Sequence, residues 1–247
     1  MSAAPLLSVI IPTLNEVHSI AATLAHVHAA VGAGIAYEVL VSDGGSTDDT
    51  LAQAAAHGAL ALPAPKPGRA AQLNFGASQA HGAILYFLHA DTLPPAGFGQ
   101  LIRRYQARGY RSGCFRLRFD VRHPVLLFSG WCSRFNAPAF QFGDQSLFVE
   151  KVLFDQLGGF NEQMLLMEDV DLPIRIKHKA RFVVMPQSVV TSARKYVVHG
   201  VLRTELTHLA VQTLFLAGTP QPTLLRVYRR LLQRRRPRRV RRVRGAV

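Results

Sequence analysis

The stretch ILYFLHADT, residues 84–92, decides the fold that the sequence predicts. Its first five residues are apolar or aromatic, polarity changes abruptly at His89 and Asp91, and Pro94 and Pro95 end the run. A short, continuous apolar run of this kind is typical of a strand buried on both faces of a parallel sheet. Ligands of such sheets bind beyond the carboxyl ends of the strands. Asp91 therefore stands where a carboxylate can hold a divalent cation, with an ordinary turn or cap residue as the alternative.

Three strand–helix repeats precede this strand. Apolar runs predict strands at 8–11, 38–42 and 59–62, and the intervening segments show helical periodicity or small-residue composition. Asn15 is the expected N-cap of the first helix, and Ser46 with Asp49 resembles a capping box for the second. This order predicts an α/β fold with a mostly parallel, open sheet flanked by helices. A barrel is disfavoured, since only about half of its repeating units are present.

The second half of the chain has a different pattern. Alternation from Phe115 to Phe119 predicts a half-exposed strand, and residues 146–149 predict another. Helices are expected at 150–157, 168–179 and 197–216, the second with Pro173 in its first turn.

Charge separates the chain into a body and a tail. The formal charge is +14, and the segment from Arg226 to the end carries eleven Arg and no acid, which leaves +3 for the rest. We expect one domain over 1–218, followed over 219–247 by a Pro-containing linker (219–223), a basic amphipathic helix and an Arg-rich tail. Such a helix suits an anionic membrane surface. A solvated, disordered tail is the alternative.

Compartment signals are few. The two cysteines, Cys114 and Cys132, share no metal-ligand or redox spacing, so free thiols in a reducing compartment are expected. No signal peptide and no membrane-spanning run are visible, which predicts a cytoplasmic protein, with the inner face of the membrane as a peripheral site.

Four polar features fall at or beside the predicted sheet edge. Asp43 and Gly44 follow the second strand, and residues 12–16 follow the first; both suit a ligand wall or simply a turn. Arg69 lies near a helix N-terminus with Gln72 and Asn74, an arrangement suited to phosphate. Three acids within residues 168–171 open a helix, where the helix dipole alone would favour them.

The ordered motifs SVIIPTLNE, VSDGGSTDDT, GRAAQLNFGA, FLHADT, GGF and MEDVDL resemble the family-two glycosyltransferases of the GT-A fold. The resemblance extends from Ser8 to about Arg194. FLHADT with GDQ, MEDVDL and TSARK is also similar to a bacterial subgroup associated with arsenosugar biosynthesis, also named radical-SAM/selenodomain-associated transferases. The resemblance implies a nucleotide-diphosphate sugar donor (UDP- or GDP-sugar), a hydroxyl acceptor of unknown identity, and Mn²⁺ or Mg²⁺.

The resemblance also implies roles for individual residues. Asp169 would be the general base and Glu168 would orient it or the acceptor. Asp91 would bind the metal, with His89 beside it. Asp144, Gln145 and Arg194 are candidate acceptor or auxiliary contacts, although each also fits an ordinary structural position. The residues expected to contact the nucleotide sugar are Pro12, Thr13, Glu16, Asp43, Gly44, Arg69, Asn74, His89, Ala90 and Asp91.

Two departures from the family pattern stand out. His89 replaces the first acid of the Asp-x-Asp motif, and an imidazole favours Mn²⁺ over Mg²⁺. Ser42 replaces the first acid of the usual Asp-Asp-Gly. A Gln-x-x-Arg-Trp motif and a bundle of membrane helices are absent from the sequence, which argues against a processive polysaccharide synthase.

Two other classes remain open. A sugar-phosphate nucleotidyltransferase would share the sheet, but PTLNE stands where its Gly-rich basic loop would follow the first strand. A non-catalytic nucleic-acid-binding protein could use the Arg tail for phosphate contacts. The mildly basic body and the lack of stacking motifs disfavour that reading, so no nucleic-acid partner is expected.

Overall fold

The computed structural model describes residues 7–140 and 143–232. The predicted Arg-rich tail beyond residue 232 lies outside these described residues. The chain divides into two compact units, one ending at Arg194 and the other beginning at Lys195. No helix of the described part is long and apolar enough to cross a membrane.

The first unit alternates strands and helices, as the sequence predicts for its first half. Its strands are β1 (Leu7–Thr13), β2 (Tyr37–Asp43), β3 (Leu60–Pro63), β4 (Ile84–Phe87), β5 (Thr92–Leu93), β6 (Ser112–Phe119), β7 (Leu147–Glu150) and β8 (Phe182–Thr191). Its helices are α1 (Ile20–Ala30), α2 (Thr50–Ala56), α3 (Arg69–Gln79), α4 (Phe98–Gln106), α5 (Pro124–Cys132), α6 (Lys151–Gln156) and α7 (Glu168–Lys177). Short 3₁₀ turns occupy Pro138–Phe140 and Gly143–Gln145.

The strands form one sheet in the order β3-β2-β1-β4-β7-β6-β8-β5. β1 pairs in parallel with β2 and β4, β2 with β3, and β6 with β8. β7 runs antiparallel to β4 and β6, and β5 antiparallel to β8. The predicted α/β architecture with a mostly parallel sheet is confirmed. Because β1, β2 and β4 are parallel, their carboxyl ends meet at one edge, where ligands of such sheets bind.

β4 lies at the centre of this sheet because all four of its residues are apolar or aromatic and buried. Phe87 packs against Phe154 and Phe160, with ring centroids 5.3 Å and 4.9 Å away. On the other face Tyr86 stacks on Phe98, and its buried hydroxyl lies 3.0 Å from Ser146 Oγ. Each such side chain contributes about 1.5–3 kcal/mol when fully buried. The strand therefore holds Asp91, four residues beyond its end, on a rigid base.

Two predicted helix caps are wrong. α1 begins at Ile20 with Ser19 at the N-cap. Asn15 instead has a left-handed backbone, with φ of 56°, and accepts a hydrogen bond from the Thr47 amide at 2.9 Å. The side-chain amide of Asn15 thus joins the loops that follow β1 and β2. Ser46 bonds to Asp43 rather than capping a helix, and α2 starts four residues later, at Thr50.

Pro173 lies inside α7, beyond the first turn in which it was expected. It is the sixth residue of a helix that begins at Glu168, so its nitrogen cannot donate to the Asp169 carbonyl. The helix nevertheless continues to Lys177, because Leu172, Pro173 and Ile176 are buried against the rest of the unit. Packing therefore outweighs the lost hydrogen bond.

The second unit is helical. α8 (Arg194–His199) starts at the last residue of the first unit, and Gly200, with φ of 87°, separates it from α9 (Val201–Leu216). The single helix expected over 197–216 is thus wrong. So is the linker at 219–223, because α10 (Gln221–Leu232) begins within it and contacts α9. The expected domain boundary at 218 falls between α9 and α10, inside this unit, and stays a prediction.

Both cysteines are free thiols, as predicted, and both are buried. Burial raises the pKa of the Cys114 thiol to about 12. A thiol with so high a pKa is unreactive at neutral pH, because the thiolate is the nucleophile.

Candidate active site

Asp43, at the end of β2, is a buried carboxylate that receives four hydrogen bonds. Oδ1 accepts from Thr13 Oγ1 at 2.9 Å and from Ser46 Oγ at 2.5 Å. Oδ2 accepts from the amides of Gly45 at 3.0 Å and Ser46 at 2.7 Å. Burial raises the pKa of Asp43, but these bonds outweigh it and hold the pKa below its ordinary value. The ionised carboxylate thereby fastens the loop after β2 to the end of β1.

Gln72 of α3 holds the ends of β1 and β2 together through hydrogen bonds of its side chain. Its side-chain Nε2 donates to the carbonyls of Thr13 at 2.6 Å and Ser42 at 3.1 Å. A Cβ at Gly44 would lie 2.8 Å from Gln72 Nε2, so a larger residue here would displace the Gln72 amide from its two carbonyl partners. This role of Gln72 was not predicted, although a polar amide on the inward face of a helix needs hydrogen-bond partners and so indicates one. Pro12, half-buried, precedes Thr13 on this edge.

Asp91 and Glu16 share one cation. Arg194 Nη2 lies 3.0 Å and 3.1 Å from the two carboxylate oxygens of Glu16 and 3.5 Å from Asp91 Oδ2. The pKa of Asp91 is raised, first by burial and then by the negative charges of Asp144 and Glu16; His89 and Arg194 oppose the rise. The loop after β4 is therefore rich in negative charge, and Arg194 offsets it only in part.

His89 is fixed by Asp144. Its Nδ1 lies 2.8 Å from Asp144 Oδ1, and both side chains are partly exposed. The backbone between His89 and Asp91 is anchored as well, because the buried Ala90 accepts a hydrogen bond on its carbonyl from Thr23 Oγ1 at 2.7 Å. Since the ring nitrogens of a neutral imidazole differ in role, a proton on Nδ1 leaves the lone pair on Nε2.

Arg69 connects the starts of α3 and α7. Its Nε lies 3.5 Å from Glu168 Oε1, and its Nη1 lies 3.4 Å from Asp169 Oδ2. Glu168 is buried, whereas the Asp169 side chain is 23% exposed. Burial raises the pKa of Glu168, and the neighbouring charge of Asp169 raises it further against the opposing Arg69. The exposed member of the acid pair is thus the one that a second molecule can reach.

Arg69, His89, Gly143 and Asp169 line one pocket, which we call the cleft. Gly143 lies so close to the acid that a Cβ built on it would fall 1.8 Å from Asp169 Oδ2. The segment that supplies Asp144 to His89 thus also packs against Asp169. The cleft joins the loop after β4 to the start of α7. Its described lining includes neither Asp43 nor Asp91, so a single site shared by these two residues and Asp169 stays a prediction.

Backbone strain is concentrated around these groups. Among the described residues, Asn15, Ser146 and Met167 are the non-glycine residues with positive φ. Asn15 follows β1, Ser146 lines the cleft, and Met167 directly precedes Glu168. Left-handed backbone at non-glycine residues is unfavourable and clusters at functional sites.

Two predicted contact residues are engaged in holding the fold. Asn74 Nδ2 donates to the Phe160 carbonyl at 2.9 Å and to Glu162 Oε1 at 3.0 Å, and Asn74 Oδ1 accepts from the Phe160 amide. Gln145 is buried, and its Nε2 donates to the carbonyls of Phe115 and Ser133. Both amide hydrogens of each side chain are therefore used within the protein, and contacts to substrate stay predictions.

Across residues 7–140 and 143–232, no group of three or more His, Cys, Asp or Glu forms a ready-made metal site. Asp91 and His89 stay the metal ligands that the resemblance implies.

The chain belongs to glycosyl transferase family 2, whose model matches residues 8–150. Over 90 residues it is 40% identical to an uncharacterized glycosyltransferase of Mycobacterium tuberculosis, a segment that covers 36% of this chain. A relative in Mycobacterium bovis matches to the same extent. The matched segment spans 38% of the length of these relatives.

The fold is similar to several solved glycosyltransferases. A mannosyltransferase from Pyrobaculum calidifontis, solved in complex with GDP-Man and Mn²⁺, matches with a TM-score of 0.64 and 22% identity, over 92% of this chain and 72% of that one. Glucosyl-3-phosphoglycerate synthase from Mycobacterium tuberculosis, in complex with Mn²⁺, UDP and glucosyl-3-phosphoglycerate, matches with 0.61 and 18%, over 88% and 82%. S. aureus TarS with UDP matches with 0.63 and 17%, over 92% and 71%.

Proposed function

We propose that this chain transfers a sugar from a nucleoside-diphosphate sugar to a hydroxyl acceptor, with inversion at the anomeric carbon. The observation that carries the proposal is the cleft, in which Arg69, His89 and Asp169 face one space beyond the carboxyl end of β4. Membership of glycosyl transferase family 2 supports the reaction class. Structural neighbours in complex with GDP-Man, UDP or UDP-GlcNAc support the donor class.

The base and ribose of the donor would lie against the ends of β1 and β2. Pro12, Thr13 and Glu16 line the first, and Asp43 and Gly44 the second. Since four donors already occupy Asp43, we infer that it acts mainly by holding the loop that contacts the base. The hydrogen bonds to the base would then come from the backbone of this loop rather than from the Asp43 side chain.

A divalent cation fits the chemistry of the residues after β4. Asp91 offers a carboxylate in negative surroundings, and His89 can offer Nε2 while Asp144 fixes the other ring nitrogen. A carboxylate behind a metal-binding imidazole is a common arrangement. Mn²⁺ or Mg²⁺ could take its remaining ligands from phosphate oxygens and water. When bound, the cation would offset charge on the departing diphosphate.

Asp169 is the proposed general base. It would take the proton of the acceptor hydroxyl while that oxygen forms its bond to the anomeric carbon and the bond from this carbon to the diphosphate oxygen breaks. Glu168, buried beside it, would orient Asp169. Arg69, which contacts both acids, would also approach the diphosphate or sugar.

A screen with two readouts tests the proposal. UDP-, GDP- and dTDP-sugars are first tested with Mn²⁺ for a rise in Tm, since a ligand that binds only the folded protein stabilises it. Donors that bind are then assayed for release of nucleoside diphosphate, with water or added alcohols as acceptors. We expect at least one donor to bind and turn over. Binding of nucleic acid or sugar 1-phosphates in place of every nucleotide sugar would contradict the proposal.

Two further proposals concern the acceptor and the binding of the chain to a membrane surface. The similarity to the arsenosugar-associated subgroup stays a prediction, and it does not name the acceptor. Peripheral membrane binding through the basic tail is supported by Arg226, Arg229 and Arg230 on α10. Residues 233–247 lie outside the described part. Flotation with anionic liposomes should weaken when these residues are removed; equal flotation of both chains would contradict it.

A further inference from the structure

A second concave surface lies in the first unit, and its described lining shares no residue with that of the cleft. It is a groove of about 580 Å³ between β6, α5 and β8. Four arginines line it, Arg116, Arg118, Arg122 and Arg134, and acids are absent from its described lining. We call it the arginine groove. Its size is within the usual range for ligand sites.

Arg116 is the deepest of these cations. Its Nε atom is buried and has no hydrogen-bond partner among the described residues. A buried donor without a partner costs free energy unless a ligand or water satisfies it. Arg118, Arg122 and Arg134 are exposed around it. The nearest acid in sequence, Asp120, uses its Oδ1 to accept from the Ala193 amide. The groove therefore attracts an anion.

Helix α5, which forms one wall, is apolar on its outward face as well as its inward one. Leu126, Ser129 and Cys132 are buried. Leu127 is 62% exposed, Phe128 66% and Trp131 46%. A helix that is apolar all round needs cover from protein or lipid.

The aromatic series continues beyond the helix with the exposed Phe135 and the half-buried Phe140. Ring centroids are 6.1 Å apart for Phe128 and Trp131, 5.1 Å for Trp131 and Phe135, and 5.4 Å for Phe135 and Phe140. The guanidinium of Arg134 lies 4.8 Å from the Trp131 ring centroid, which ties the aromatic series to the arginine groove. We call the four rings the aromatic ladder. Aromatic rings beside arginines are suited to the boundary between headgroups and acyl chains.

We propose that the arginine groove and the aromatic ladder together form a docking surface for an anionic phospholipid bilayer. The groove receives the phosphate of a lipid headgroup, and Phe128 and Trp131 enter the headgroup–acyl boundary. Charge complementarity selects anionic lipid, because the lining carries four cations and the outward helix face is apolar. This surface differs from the basic tail and does not depend on the proposed enzymatic activity.

Trp131 is the one tryptophan of the chain, so its fluorescence reports on this surface alone. The full chain is mixed with vesicles of phosphatidylcholine, with or without phosphatidylglycerol. We expect a blue shift in emission, and quenching by brominated acyl chains, only with the anionic vesicles. If the protein floats with the vesicles but Trp131 emission does not change, another part of the chain binds the membrane, and the proposal is overturned. An equal shift with neutral vesicles, or failure to float, would also overturn it.

A matched pair of variants tests the arginines. Arg118→Glu with Arg122→Glu changes two exposed groove residues. As the control, Arg104→Glu on α4 with Arg108→Glu just beyond its end makes the same charge change on two exposed residues outside the groove. Each basic residue near an anionic surface strengthens binding about fivefold, so the groove pair should weaken the vesicle titration by roughly 25-fold or more. The control pair should bind at least tenfold more tightly than the groove pair. Equal losses in both pairs would contradict a specific groove.

Inorganic phosphate separates a lipid surface from a soluble anion site. Against a chloride control of matched ionic strength, added phosphate should leave Trp131 emission unshifted in the absence of vesicles. A phosphate-induced shift equal to the vesicle shift would assign the groove to a soluble phosphate ligand and overturn the membrane proposal.

Discussion

His89 Nδ1 lies 2.8 Å from Asp144 Oδ1, so one ring nitrogen is held by a carboxylate and the other is left for a ligand. Asp144 comes from the segment before β7, the strand that runs antiparallel beside β4. The antiparallel strand thus delivers the partner of a residue at the end of the parallel part of the sheet. If His89 binds a metal, Asp144 is its positioning residue.

Asp144→Asn should weaken Mn²⁺ binding, measured by calorimetry with saturating nucleoside diphosphate, by about 10–100-fold, because partners behind a metal-binding imidazole contribute this much. Asp155→Asn, which changes an exposed acid on α6, is the control and should bind Mn²⁺ as the original chain does. Equal Mn²⁺ affinity in the two variants would remove Asp144 from this role.

Asp169→Asn should reduce turnover of the bound donor by about 10²–10⁴-fold, the usual contribution of a general base. Asn has nearly the same shape as Asp, and a general base acts in the transition state rather than in binding the nucleotide. The Kd for nucleoside diphosphate with Mn²⁺ should therefore change by less than about threefold. Rates of nucleoside diphosphate release and calorimetric binding give the two values. Full activity in the variant would show that another group takes the proton.

Gly143→Ala tests the contact between the segment 143–145 and α7. Its Cβ would fall 1.8 Å from Asp169 Oδ2, so the carboxylate must move. Displacement by about 1 Å can cost roughly 100-fold in rate, and we expect such a loss in kcat. The far-ultraviolet circular dichroism spectrum should be unchanged. Wild-type kcat in a folded variant would contradict the placement of Asp169.

The pKa directions predict opposite pH dependences for two aspartates. The pKa of Asp91 is raised above its ordinary 3.8, so its ionised form costs stability, and this cost grows as the pH rises through the folded-state pKa. Without metal, Asp91→Asn should therefore raise the Tm at pH 7, and the gain should disappear below pH 3.8. Each kcal/mol corresponds to about 2–4 °C for a chain of this size.

The pH dependence of stability that we expect from Asp43 is opposite to that from Asp91. Its pKa is lowered, so its contribution to stability is present above its ordinary 3.8 and is lost as the pH falls through the lower folded-state pKa. Asp43→Asn should lower the Tm at pH 7, and the deficit should shrink in that acid range. Thermal unfolding from pH 3 to pH 7 checks both variants, and changes of the same sign would refute this account of the two sites.

The sequence predicted the sheet because its signals are local. Apolar runs ended by turns located β1, β2 and β4, and small residues between Gly68 and Ala80 located α3. The same local reasoning failed where a partner distant in sequence decides the outcome. Asn15 bonds to the loop after β2 instead of capping α1, and Pro173 is tolerated inside a helix by burial.

The site was predictable only in part, for the same reason. A carboxylate after an apolar strand marked Asp91, and a group of acids that opens a helix marked Asp169. No comparable local signal indicates the contact of Gly143 with Asp169 or the pairing of His89 with Asp144. These roles arise from the pairing of β7 with β4, which joins segments about 60 residues apart.

We propose above all that Asp91 would hold a divalent cation that also binds the diphosphate of a nucleotide donor. Calorimetry of UDP and GDP binding, with Mn²⁺ and with chelator, tests it in the original chain and in Asp91→Ala. We predict that one of the two nucleotides binds only with Mn²⁺, and that Asp91→Ala abolishes this binding while the fold remains intact. Binding that is equally tight in chelator, or that survives in Asp91→Ala with Mn²⁺, would contradict the claim.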